Sequence, residues 1–287
     1  MRFDLHTHTV VSDGTDTPTE LAEKVAEAGL AGFALTDHDT TDGWAAASTA
    51  AKHLGLVFIP GMELTCATTT GISVHVLSYL HDPYNKALLT EMEESRRSRE
   101  SRAQRMVEKL SEDYPVNWDI VLEHCAPNAT IGRPHIADAL VSVGVIGNRS
   151  EAFVELLHPR SPYYVSHYSP DPVYGVELIR AAGGVPVFAH PMAAKRGRVV
   201  PEPVFHDMIE AGLAGVEVYH RDNSAQGRQF LLKLAQEHQL IVTGSSDYHG
   251  FGKPNELGEN SVGLDVVEQI AAQGQLKLHY PKGFETN

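Results

Sequence analysis

Arg2-Phe3-Asp4-Leu5-His6-Thr7-His8 opens the chain, and its reading decides the fold. Apolar and polar residues alternate over a short stretch that closes on two histidines one residue apart. Residues two apart on a strand face the same way, so both imidazoles project to one side and can grip one metal ion. Further short apolar runs bounded by turn residues lie at 32–36, 56–59, 72–80, 184–189, 215–219 and 240–244, giving seven strand candidates. Helical stretches lie between most of them. The first is marked by Thr17-Pro18-Thr19-Glu20, a capping box with Pro at the first helical position, and by Gly29 as its stop. Others are expected at 42–55, 172–182, 201–211 and 224–238. Strands alternating with helices predict an α/β protein with a mostly parallel sheet. The stretch from Leu80 to Gly184 is several times longer than a crossover needs and reads mainly as helix. Residues 96–166 are therefore expected to form an inserted helical subdomain, with 1–95 and 167–287 building the main body.

The 287 residues carry 23 Lys and Arg against 37 Asp and Glu, a net charge of −14. That balance argues against a protein that coats nucleic acid by charge alone. No run approaches the roughly 20 apolar residues that span a bilayer, so no membrane contact and a cytoplasmic location are expected. Cys66 and Cys125 are too few for a disulfide framework. Histidine, at 16 copies, outnumbers both Tyr at 10 and Phe at 9, which puts metal chemistry first.

The metal-ligand residue types recur at equivalent places. Asp13 follows in the first loop, Asp37-His38-Asp39 ends the second run, Glu63 follows the third, His190 ends the fifth, and Asp247-Tyr248-His249 ends the seventh. These positions lie at or just past the C-terminal ends of strands, where parallel barrels build their active sites. His75 is the exception, because it lies inside the alternating run Ile72-Ser73-Val74-His75-Val76-Leu77. Asp37 and Asp39 point away from His38 in an extended chain and are read as supporting groups. His53, His81, His124, His158, His167, His206, His238 and His279 lie away from strand ends and are read as structural. His220, beyond Glu217, is a candidate supporter of a ligand.

The ordered set His6-Thr7-His8, Asp13-Gly14, Thr36-Asp37-His38-Asp39, Gly61-Met62-Glu63, His75, His190-Pro191 and Ser246-Asp247-Tyr248-His249 resembles the polymerase and histidinol phosphatase (PHP) family of metallophosphoesterases over nearly the whole chain. The resemblance implies a distorted, TIM-like seven-stranded β/α barrel carrying three divalent ions. By that resemblance one ion would be held by His6, His8, Glu63 and Asp247, a second by Glu63, His75 and His190, and a third by Asp13, His38 and His249. Imidazole and carboxylate without thiolate suit Mn²⁺, Fe²⁺ or Zn²⁺. Three carboxylates supply about −3 against about +6 from three such ions, an excess that draws phosphate into an otherwise acidic protein.

Ile131-Gly132-Arg133-Pro134-His135 places an Arg that the following Pro holds extended, and a guanidinium can fork onto phosphate oxygens. This element resembles one in the branch that acts on nucleoside 3′,5′-bisphosphates and trims RNA from its 5′ end. Arg133 and His135 would hold the second phosphate. Lys195-Arg196-Gly197-Arg198 follows His190, making Lys195 and Arg196 further candidate phosphate contacts. Arg96, Arg97, Arg99, Arg102 and Arg105 are interleaved with Glu93, Glu94, Glu100 and Glu108, and the helix reads as a solvated face that could guide RNA.

The expected activity is hydrolysis of a phosphate monoester, the 3′-phosphate of a nucleoside 3′,5′-bisphosphate, with short 5′-phosphorylated RNA as a further substrate. No obligate protein partner is expected. The alternatives are a histidinol-phosphate phosphatase, an amidohydrolase attacking a carbonyl on the same kind of barrel, and a binding module with coordinatively closed ions. Neither a glycine elbow around Ser245 and Ser246 nor a Walker-type loop is present.

Overall fold

The computed structural model describes residues 1–281, 283 and 284. Seven strands form one sheet in chain order: β1 (Phe3–Thr7), β2 (Gly32–Leu35), β3 (Val57–Ala67), β4 (Ser73–Tyr79), β5 (Val185–Phe188), β6 (Gly215–Tyr219) and β7 (Ile241–Gly244). A parallel bridge from Thr7 to Tyr248, just past β7, brings the two edges together, so the sheet is a nearly closed barrel. Both faces of the short strands are covered; β1 and β2 are buried at every position.

Around the sheet, in chain order, run α1 (Pro18–Glu27), α2 (Trp44–Leu54), α3 (Lys86–Leu110), α4 (Trp118–Leu122), α5 (Arg133–Ser142), α6 (Arg149–Glu155), α7 (Pro172–Ala181), α8 (Glu202–Glu210), α9 (Ala225–His238) and α10 (Leu264–Ala271). The α1 start is as the sequence dictates. Thr17 accepts a bond from the Glu20 amide, and the Glu20 carboxylate accepts one from the Thr17 amide at 2.8 Å. Among the described residues no helix is long and apolar enough to cross a membrane.

The direction of β4 departs from a parallel barrel. It pairs antiparallel with both β3 and β5, whereas β1–β2, β2–β3, β5–β6 and β6–β7 are parallel. β3 also runs on to Ala67, well past the expected end at Ile59, and turns back through Gly71, whose φ of +73° suits a residue without a Cβ. Pro60 and Gly61 concealed this extension, since both read as breakers. The reversal explains His75. It pairs with Thr65 near the start of β4, and in a reversed strand the start lies at the rim where its neighbours end.

The long connection from β4 to β5 contains α3 to α7. Leu88 and Met92, early on α3, pack into the core outside β3 and β4. Ala103, Met106, Val107 and Leu110, later on the same helix, join Val121, Ile136, Leu140, Ala152 and Leu157 in a separate core. One helix thus carries this second core while anchoring it on the barrel. Inside the barrel, the Tyr79 hydroxyl donates to the Leu5 carbonyl at 2.8 Å, linking β4 to β1 through a core of Phe3, Ile59, Leu77 and Val187. Tyr79→Phe should lower unfolding free energy by about 1–2 kcal/mol, read as a reduced urea midpoint at unchanged m-value. An unaltered midpoint would show that this bond contributes nothing net.

Candidate metal centre

The strand ends deliver His6 and His8 from β1, Glu63 from β3, His75 from β4, and His190 and Asp247 from just past β5 and β7. Asp13, His38 and His249 come from the adjoining loops. All are buried except His75 and His190, which line the opening. His190 and Asp247 hold left-handed backbone, φ +33° and +55°, conformations that cost a non-glycine residue about 1–3 kcal/mol and persist only where the surroundings enforce them.

Two sets of four side chains and one of three bring one ligand atom each to within 4.8 Å of one another. They are His6, His8, Glu63 and Asp247; His8, Asp13, His38 and His249; and His38, Glu63 and His75. Glu63 lies between them. Its Oε2 is 3.1 Å from both His6 Nε2 and His8 Nε2 and 3.4 Å from His38 Nδ1. Its Oε1 is 2.8 Å from His75 Nδ1 and 3.2 Å from His190 Nε2. His190 therefore shares an oxygen with His75 without joining the compact third set, where His38 stands instead.

The donors fit a cation better than they fit one another. His6 Nε2 and His8 Nε2 are 3.0 Å apart, and Asp247 Oδ1 is 3.4 Å from each. Bonds of about 2.0–2.2 Å to one ion would impose similar spacings. Buried His38 Nδ1 and His249 Nε2 have no hydrogen-bond partner among the described residues.

A ring of supporting groups aims these ligands. Glu217 is fully buried and meets His6 Nδ1 at 3.0 Å, accepts the His190 amide at 2.7 Å, and accepts the Ser245 hydroxyl. Burial opposes its ionisation, but His6, together with His220 and His190, outweighs that and holds the carboxyl down to about 2. Asp37 accepts from the Thr9 amide and hydroxyl and from Ser12, fixing the loop that leads to Asp13. Its alternation placed it behind His38; the importance of Glu217 was not drawn from the sequence, although it occupies an inward position near the end of β6.

The basic candidates are arranged differently from expectation. Arg133 is the first residue of α5 rather than part of an extended loop; Gly132 is the extended residue, at φ −143°. The Arg133 guanidinium donates to the Leu157 carbonyl at 3.0 Å and lies over the rings of Phe153 and Tyr164. His135 is buried and accepts from the Gly132 amide. Lys195 is exposed. Arg196 meets Asp247 Oδ2 at 2.6 Å and Asp222 at 2.7 Å, so it is already paired with carboxylates; Lys253 Nζ reaches the same Asp247 oxygen at 3.0 Å. The α3 face is not uniformly solvated either. Arg99 and Arg102, three residues apart, turn inward and are buried. His167, read as remote, lies 3.2 Å from Arg102 Nη1.

A model of the PHP domain matches residues 4–119. The chain is 34% identical over 252 residues, 88% of each protein, to a 3′,5′-nucleoside bisphosphate phosphatase of Chromobacterium violaceum. It belongs to the PHP family. It is also 29% identical over 270 residues to a 5′-3′ exoribonuclease of Haemophilus influenzae, covering 94% of this chain and 96% of that one. A crystal structure of a provisionally named metal-dependent phosphoesterase from Bifidobacterium adolescentis superposes with a TM-score of 0.92 at 44% identity, covering 95% and 96% of the two chains. This PHP protein is accordingly a metal-dependent phosphoesterase, with His, Asp and Glu clusters able to bind metal.

Charge in the PHP centre sets a proton cost on loading. Burial works against protonated imidazoles, yet Glu63, Glu217 and Asp247 hold His6 well above its ordinary range, and Asp247 and Glu63 raise His8 to about 9. Burial, with less opposition, brings His190 to about 3 and His249 to about 4, leaving both neutral. His6 and His8 must shed protons to coordinate, so affinity should rise with pH. Calorimetric Mn²⁺ titrations in buffers of different ionisation enthalpy should show proton release, with affinity climbing about tenfold per pH unit for each proton displaced between about pH 6 and 8. A flat profile without proton release would contradict this electrostatic account.

Proposed function

We propose that the protein removes the 3′-phosphate of nucleoside 3′,5′-bisphosphates, yielding a 5′-nucleotide and phosphate, and that short 5′-phosphorylated RNA enters the same site. The observation that carries this reading is a cluster of three arginines, Arg99, Arg102 and Arg133, beside the candidate metal centre. Arg99 meets Asp39 at 3.0 Å and Thr65 at 2.7 Å, both on loops or strands adjoining His38 and Glu63. A Cβ on Gly132 would lie 3.1 Å from an Arg99 Nη, so that guanidinium abuts the start of α5 and Arg133. Tyr164 lies beside both Arg133 and Arg102. Of the three cations only Arg99 has a carboxylate partner among the described residues.

Such a cluster of cations repels itself unless an anion lies among them. Burial first, then Arg133 and Arg99, pushes Arg102 below its ordinary range, and the same cluster after burial brings His167 to about 2. A dianionic phosphate would relieve this repulsion and receive charge-assisted bonds from a planar fork. The arginines take the 5′-phosphate, while the 3′-phosphate lies over the Glu63 cluster.

His6, His8, Glu63 and Asp247 would hold one ion, Glu63 and His75 with His190 a second, and Asp13, His38 and His249 a third, drawn from Mn²⁺, Fe²⁺ or Zn²⁺. Bound there, such ions supply Lewis-acid polarisation of the phosphoryl oxygens and a water acidic enough to attack phosphorus. The protein's own work is orientation. Glu217 fixes the His6 ring, Arg196 and Lys253 fix the outer oxygen of Asp247, and the arginines hold the far end of the substrate so that the scissile phosphorus has one position. Histidinol phosphate has no second anion to offer the arginines. A carbonyl substrate of an amidohydrolase would give them no role either.

Phosphate release with added Mn²⁺ should favour adenosine 3′,5′-bisphosphate over histidinol phosphate and p-nitrophenyl phosphate. Arg102→Met and Arg133→Met should each cut kcat/KM for the bisphosphate about 10- to 100-fold, the range for a charged hydrogen bond, with a much smaller loss on p-nitrophenyl phosphate. Equal losses on both substrates would remove the arginines from recognition of a second phosphate, and preferred turnover of histidinol phosphate would overturn the substrate class.

A further inference from the structure

We propose that Arg149 is a positioning residue for the ligand set of His8, Asp13, His38 and His249, fixing the two loops that carry Asp13 and His249 and so setting that set's affinity for a divalent cation. The proposal rests on the metal-centre reading but not on the identity of the substrate. Arg149 is the first residue of α6, and its side chain is only 14% exposed. Its Nε and Nη2 each meet one oxygen of Asp138 on α5 at 2.5 Å, a fork that fixes the guanidinium plane. Held in that plane, Nη1 donates to the backbone carbonyl of Asp13 at 3.1 Å.

The same guanidinium occupies the space over Gly252. A Cβ there would lie 2.0 Å from Nη1 and 2.9 Å from Cζ, so only glycine leaves the position open. Gly252 in turn donates its amide to the His249 carbonyl at 3.3 Å, and Thr15, beyond Asp13, donates to that carbonyl at 3.2 Å. One planar cation therefore touches the helix pair α5–α6, the Asp13 loop and the turn that follows His249.

This set needs such support more than the others. His6, His8 and Glu63 sit on or at the ends of β1 and β3, where ladder hydrogen bonds fix the backbone, whereas Asp13 and His249 are loop residues. Its carboxylate–imidazole spacings also include the widest in the three sets. Asp13 lies 3.2 Å from His249, but 3.8 Å from both His8 Nδ1 and His38 Nε2. A shift of a few tenths of an ångström there separates a site that binds from one that does not.

The test uses the full-length protein, loaded with Mn²⁺ and dialysed, with elemental analysis and chelator competition as readouts and circular dichroism as the fold control. Arg149→Met is expected to retain one equivalent fewer than the unsubstituted protein, or to bind that equivalent at least tenfold more weakly, with the other equivalents unaffected. Gly252→Ala, which displaces the guanidinium while keeping its charge, should do the same and decides the matter if Arg149→Met does not fold. Arg149→Lys keeps the charge but cannot hold Asp138 in a fork and Asp13 together, so its affinity should fall between the two. Folded variants with the full complement at unchanged affinity would overturn the proposal, as would loss of all equivalents together. Unsubstituted protein that retains no Mn²⁺ would overturn the metal-centre reading itself.

Discussion

The Glu63 carboxylate has five imidazoles within 3.4 Å, those of His6, His8, His38, His75 and His190. An ionised carboxylate buried to 1% exposure is tolerated only if compensated, and five imidazoles crowded on it, three of them buried, repel one another once more than one or two are protonated. The arrangement is costly as a hydrogen-bonded core and favourable as a cation cage, because a cation satisfies both carboxylate oxygens and the lone pairs of the rings together. Much of the fold serves to hold this unfavourable cluster. The nearly closed barrel brings β1 and β7 together so that His6 and Asp247 meet, and left-handed backbone at His190 and Asp247 turns both side chains to the rim.

The seven strands, the helices between them and the capping box at Thr17 were legible because each is specified locally, by alternation, by turn residues or by a four-residue motif. The convergence of ligands was legible for the same reason, since a strand end fixes where its side chains go. The direction of β4 was not. Alternation along Ser73 to Tyr79 reads identically in either direction, and only pairing with β3 and β5 reveals the reversal. That single ambiguity made His75 look displaced when it stands at the same rim as the rest.

The basic residues were harder to read, for a physical reason. Helical phase puts Arg96, Arg99, Arg102 and Arg105 in one row of steps of three and Arg97 across from Arg99, but it does not say which part of that row meets the barrel. Interleaved glutamates favoured a solvated helix; packing of Leu88, Met92, Ala103 and Met106 turned Arg99 and Arg102 inward instead. Conversely, Arg196 looked available beside His190 and is occupied by Asp222 and Asp247. Proximity in sequence to His190 located Arg196 near the rim, and nothing local located Arg99 and Arg102 there. Only tertiary pairing separates a cation that supports a ligand from one that lacks an anion.

These two kinds of cation explain how a chain of net charge −14 would take the polyanionic substrate proposed for it. Arg196 and Lys253 are neutralised by Asp247 and add little field. Among the described residues Arg102 and Arg133 have no carboxylate partner, and Arg102 is buried and Arg133 half-buried, so their field is concentrated beside the centre. In the proposed reaction a substrate with one phosphate satisfies either the arginines or the centre and leaves the other uncompensated, whereas one with two phosphates at nucleotide spacing satisfies both. Discrimination then arises less from added attraction than from the penalty that buried, unanswered guanidiniums impose on the wrong ligand.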